Sequence, residues 1–236
     1  MVVPGQDSPT HTDVLDRLFA PKSVPMGIIH VVSAGYDWVW ETNNRELIAD
    51  RFESEAKGRA IAVAEFASRV EKAGPPASED VRLLAKLQEL QGQSPSWHLR
   101  TEFQKSEFER FRTLCQDHLQ STWGEANGGK QIWLIIAVSK SDLWYDDRET
   151  LKSYYIPSAT GDGDSPFSAE LRELVSVVGA SRLSRIAVLP VASYPRHYRF
   201  SRYFGEQRPV LDAQQTESLL NNFRNMVGEF CGNRKI

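Results

Sequence analysis

IWLIIAVSKSDLWYDD, Ile132 to Asp147, is the stretch on which the fold turns. Apolar residues run almost unbroken from Ile132 to Val138 and stop at Ser139-Lys140-Ser141-Asp142. A run this short and continuous, rich in β-branched side chains, predicts a strand buried on both faces, as in parallel sheets. GIIHVVS (Gly27 to Ser33) and SRIAVLPVAS (Ser184 to Ser193) have the same character, and Val2 and Val3 suggest the stub of a fourth strand.

Helical patterns lie between the runs. One spans Pro166 to Val178, with Ser165 as N-cap, Pro166 at the first helical position and Gly179 as the stop. Another starts near Asp212, with Gln215 as its capping-box partner, and ends at Gly232. Its Leu219, Leu220, Phe223, Met226, Val227 and Phe230 fall on one face. Strands alternating with helices predict an α/β fold with a mostly parallel sheet.

Residues 41–123 carry no strand signal and predict three helices: Arg45 to Lys72, Glu79 to Gln91 and Ser96 to Trp123. The third offers Phe103, Phe108, Phe111, Leu114 and Leu119 for packing. So long a connection exceeds an ordinary crossover. The expected organisation is an α/β core of residues 1–40 and 124–236 with a helical insertion at 41–123.

Composition narrows the function classes. Hydrophobic content of 41% and charged content of 25% over 236 residues are ordinary globular values. A formal net charge of −3 argues against generic binding to nucleic acid or an anionic membrane. Cys115 and Cys231 lack metal-like spacing and read as reduced thiols of a cytoplasmic protein. No apolar run is long enough to span a bilayer, and no signal peptide is evident.

The lysine and aspartate at the end of the central run have a chemical use. Loops at the carboxyl ends of parallel strands converge on the crevice where α/β proteins bind ligands. A carboxylate there accepts two hydrogen bonds from a planar N–H pair. Guanine presents such a pair and adenine does not. The lysine stem can lie along the ring. Taken alone, Lys-x-Asp reads better as two solvated charges in a loop, and only its context reverses that.

In context, SKSD resembles the [Asn/Thr]-Lys-x-Asp motif of the P-loop GTPase superfamily, with Ser139 in the Asn/Thr place, Lys140 and Asp142. After a helix and a further run comes PVAS, which resembles that family's Ser-Ala-x motif in Val191, Ala192 and Ser193. VVPGQ at the N-terminus resembles the Asp-x-x-Gly-Gln motif at the γ-phosphate. The resemblance implies a G domain binding GTP or GDP with Mg²⁺. Ser139, Lys140, Asp142, Ala192 and Ser193 would hold the base, the Ala192 N–H meeting guanine O6. Gly5 would meet the γ-phosphate, and Gln6 would orient the attacking water.

The departures bear on activity. Val2 stands where the family has the Asp of the Mg²⁺ shell, and Ser139 is shorter than the usual residue. The phosphate loop, first helix and switch I of such a domain would lie before Met1. The expectation is therefore a GTPase shortened at its N-terminus, inactive as it stands, with Mg²⁺ bound only when that half is present. The alternative is a degenerate, non-catalytic G domain that binds a protein partner through 41–123. The three runs are expected to form a contiguous parallel sheet with Met1 to Val3 detached and an edge exposed to self-association.

GEANGGKQ (Gly124 to Gln131) matches G-x-x-x-x-G-K, but it follows a helix and enters a strand, which predicts a turn rather than a phosphate loop. YPRHYRFSRYF (Tyr194 to Phe204) mixes basic and aromatic residues as single-strand binders do, and reads better as a loop beside the nucleotide site or a partner surface. GDGD (Gly161 to Asp164) lacks the other ligands of a calcium loop and predicts a turn. His30 is expected to be a satisfied core histidine.

Overall fold

The computed structural model describes residues 19, 25–37, 45–72, 81–82, 85, 95–125, 131–199 and 206–232. Three strands form a parallel sheet in the order β1 (Gly27–Val32), β2 (Ile132–Val138), β3 (Leu183–Pro190). The register runs Gly27 opposite Trp133 to Val32 opposite Val138, and Trp133 opposite Arg185 to Val138 opposite Pro190. The class is α/β, as the apolar runs predict. Val2, Val3, Gly5, Gln6, Asn127 to Gly129 and most of Glu79 to Gln91 lie outside the described residues.

Between β1 and β2 lie α1 (Arg45–Lys72) and α2 (Pro95–Thr113). The latter continues through a π-helical turn, Leu114–Leu119, into α3 (Gln120–Glu125). After β2 come α4 (Ser141–Trp144), a 3₁₀ turn, α5 (Arg148–Tyr155) and α6 (Pro166–Val178). A two-residue antiparallel ladder, β4 (Tyr198–Arg199) with β5 (Glu206–Gln207), precedes α7 (Ala213–Phe230). Contacts divide the chain into two compact units. One holds Met1–Ala34, Lys105–Pro195 and Pro209–Ile236; the other holds Gly35–Gln104 and Arg196–Arg208.

The local signals behave as their chemistry dictates. Ser165 caps α6 by accepting from the Ser168 N–H, with Pro166 at the first position. Asp212 and Gln215 form a reciprocal capping box on α7. In the GDGD turn, Gly161 and Gly163 adopt positive φ. The Asp164 carboxylate accepts from the Ser158 N–H at 2.7 Å and from Arg172 Nε at 2.8 Å. These bonds hold its pKa below the usual carboxylate range, the Ser158 N–H first among the causes.

In the sheet unit, side chains alternate between two faces. Ile28, His30 and Val32 share one with Leu134, Ile136 and Val138. The core lies on this face: Phe111 stacks on Phe167 at 4.2 Å, and Leu119, Trp123, Leu171 and Leu174 are buried with them. On the other face, the Trp133 ring meets Phe230 of α7 edge-on at 5.9 Å.

Two expectations are corrected. Among the described strands only β2 is buried almost throughout, because among the described residues it alone has a strand on each side. On β1 the burial alternates, with Ile29 39% and Val31 62% exposed, and on β3 Ser184 and Arg185 are exposed. His30 is not a satisfied core histidine. Its Nε2 is buried without a hydrogen-bond partner.

Candidate functional site

The predicted base-reading residues lie at the carboxyl ends of β2 and β3. Their placement follows from the parallel pairing, which brings the ends of neighbouring strands to one edge. The Ser139 N–H donates to the Val32 carbonyl at 2.7 Å, and its hydroxyl donates to the same oxygen at 2.8 Å. Val191 N–H donates to the Val138 carbonyl at 2.9 Å, and Ser141 N–H donates to the Val191 carbonyl at 3.3 Å. The SKSD and PVAS segments are therefore in direct contact.

Lys140 turns the chain between them in the left-handed region, at φ 56° and ψ 33°. Ala34, just past the end of β1, has φ 54°. They are the two non-glycine residues with positive φ among the described residues. Such a conformation costs an L-residue roughly 1–2 kcal/mol and persists only where surrounding contacts enforce it. Those contacts are visible around Lys140. The Trp144 indole N–H donates to the Ser139 carbonyl at 2.7 Å, Leu143 N–H to the Lys140 carbonyl at 2.9 Å, and Val210 N–H to the Asp142 carbonyl at 2.6 Å.

Burial is the feature that spacing alone did not reveal. Lys140 is 7% exposed, Asp142 3% and Ala192 4%, whereas Ser193 is exposed. Lys140 and Asp142 are both engaged by other groups of the chain. Ser141, the unspecified residue of the motif, is fully buried and its Oγ has no partner. An unpaired hydroxyl in such a place costs about 1–3 kcal/mol. It is a free donor beside Lys140 and Asp142.

Two shallow hollows lie on α7. One of about 450 Å³ is lined by polar side chains including Gln214, Ser218 and Asn221. The other, about 330 Å³, lies between Tyr145, Leu211 and Leu219. Neither is lined by Ser139, Lys140, Asp142, Ala192 or Ser193.

A second polar cluster closes the end of β1. The Ser33 N–H and hydroxyl donate to Glu107 Oε1 at 3.0 and 2.8 Å, and the Tyr155 hydroxyl donates to Oε2 at 2.9 Å. Glu107 is 1% exposed. Its spacing carried a signal: Glu107 lies four residues from both Phe103 and Phe111, on the stripe assigned to packing. Tyr154 alongside has its pKa pushed up to about 12, by burial first and then by the Glu107 charge.

No family model, curated protein or solved structure matches this chain. Among the described residues no group of His, Cys, Asp and Glu is arranged to hold a metal ion, and no helix is long and apolar enough to cross a membrane.

Proposed function

We propose that the chain is a guanine-nucleotide-binding domain of the P-loop GTPase type, with the base read at the carboxyl edge of β2 and β3. Asp142 accepts the N1 and N2 protons of guanine, the Lys140 stem covers the ring, and the Ala192 N–H meets O6. The observation that carries this reading is the contact between the SKSD and PVAS segments through Ser141 and Val191. Two motifs about fifty residues apart in sequence meet where a ligand of an α/β sheet binds. Because Asp142 and Lys140 are buried, the 139–145 segment must open before a base enters, so association is slow.

Gly5 and Gln6 retain the phosphate and water-positioning roles in this proposal, but they lie outside the described residues. Among the described residues no group of His, Cys, Asp and Glu is arranged to hold a metal ion, and the proposal is confined to binding of the base. Calorimetry with guanosine, adenosine and GDP tests base reading. Guanosine binds and adenosine does not, and Asp142→Asn weakens guanosine by about tenfold to a hundredfold, the worth of hydrogen bonds to a charged group. The same variant improves xanthosine, whose edge offers an acceptor at C2. Equal binding of adenosine and guanosine, unchanged in the variant, refutes the assignment.

A second reading is a non-catalytic, G-domain-like protein that binds a partner through residues 41–123. It is favoured by α1, where Val63 is buried alone among the described side chains and Ile61 is 62% exposed. Absence of nucleoside binding by a folded chain selects it.

A further inference from the structure

We propose that the outer edge of β1 pairs with β1 of a second copy of this chain, antiparallel across a two-fold axis at Ile29. This inference does not rest on the nucleotide reading. Trp133 N–H donates to the Met26 carbonyl at 3.1 Å and Ser139 N–H to the Val32 carbonyl at 2.7 Å. With the continuous parallel register between those ends, the even-numbered residues of β1 face β2. The N–H and C=O groups of Gly27, Ile29 and Val31 therefore point away from it, and among the described residues no strand pairs with them.

Among the described residues nothing guards this edge. From Met26 to Val32 there is no proline, lysine, arginine or carboxylate, the residues that normally prevent strand addition. The side chains beside it are apolar and open, with Met26 55%, Ile29 39% and Val31 62% exposed.

The occupant follows from self-complementarity. Gly27, Ile29 and Val31 are symmetric about Ile29, so antiparallel pairing sets Ile29 opposite Ile29 and Val31 opposite Gly27. Every outward N–H and C=O then finds a partner. The same register fits in shape. The Trp133 ring occupies the place where a side chain on Gly27 would be, 1.8 Å from an ideal Cβ. It lies over the edge at Gly27, on the face that carries Val31. Val31 of the second copy, opposite Gly27, sets its methyl groups against that ring. A two-fold axis through the sheet keeps like faces together, giving one six-stranded sheet with an isologous interface. Six residues of strand bury less than the roughly 1,200–2,000 Å² of a standard interface, so the dimer is concentration-dependent.

Sedimentation of the full chain from low to high micromolar concentration tests this. The mass rises towards that of a dimer, whereas Val31→Lys stays monomeric with an unchanged thermal melt, because Val31 is largely exposed. Ile29→Cys, in a background with Cys231→Ser, cross-links on mild oxidation, since facing Cα atoms about 5.5 Å apart are within disulfide reach. Tyr194→Cys in the same background, 74% exposed but off the edge, does not. A wild-type monomer at every concentration overturns the proposal, as does a dimer that survives Val31→Lys. Slow exchange of the Ile29 and Val31 amides in a monomer also overturns it, by showing that the chain's own segment holds the edge.

Discussion

Acidification should destabilise this protein through His30, and the size of the effect follows from its surroundings. The imidazole lies 5.1 Å from the Phe111 ring and 6.5 Å from Phe167, and its Nε2 has no partner. Burial first, and then the nearby Arg110 charge, lower its pKa from 6.5 to about 4. An unfolded chain takes up this proton below pH 6.5, while the native chain refuses it until about pH 4. The contribution is thus fully present above pH 6.5 and is lost as the pH falls through that window. A depression of this size corresponds to about 3 kcal/mol, an upper figure because part of the residue reaches solvent. His30→Phe removes the titration, fits an aromatic neighbourhood and deletes the unpaired nitrogen. Urea unfolding of both proteins at several values between about pH 7.5 and 4.5 isolates the His30 effect, because other titrating groups cancel in the difference. The wild type should lose up to about 3 kcal/mol relative to the variant, nearly all of it below pH 6.5. Parallel stability curves would refute the reasoning and show that the imidazole is hydrated or paired in solution.

Glu107→Ala leaves the Ser33 N–H, the Ser33 hydroxyl and the Tyr155 hydroxyl without their shared acceptor, and should cost roughly 3–5 kcal/mol in urea unfolding. Glu107→Gln, which keeps an acceptor, should cost only about 1 kcal/mol. Gly27→Ala drives a methyl group into the Trp133 ring and should destabilise by roughly 1–3 kcal/mol, with Trp133→Ala in the same chain relieving the clash. Cys231 is exposed and should react with a thiol reagent in the native protein. Cys115 should react only on unfolding, because burial and then the Glu170 charge push its thiol pKa up.

The sequence was sufficient wherever the determining interactions span a few residues. The apolar run at Ile132, the Ser165 cap ahead of Pro166 and the Asp212–Gln215 box are complete within one strand or one helical turn. Their elements form where local chemistry places them. Arg45–Lys72 likewise matches its predicted span. The juxtaposition of SKSD and PVAS was also legible, because two consecutive parallel strands place their ends side by side. Tertiary structure decided what those residues meet. His30 reads as core from its run, yet whether its nitrogen finds a partner depends on helices distant in sequence. Glu107 lies on an apolar stripe, and only the return of Ser33 and Tyr155 makes that a place for a carboxylate. The apolar run of β1 predicts burial on both faces, but among the described residues no strand lies beyond it and Val31 is open. Ser141 and Asp142 are sealed for the same reason: burial belongs to whatever crosses over a residue, and a local pattern cannot encode what arrives from elsewhere in the chain.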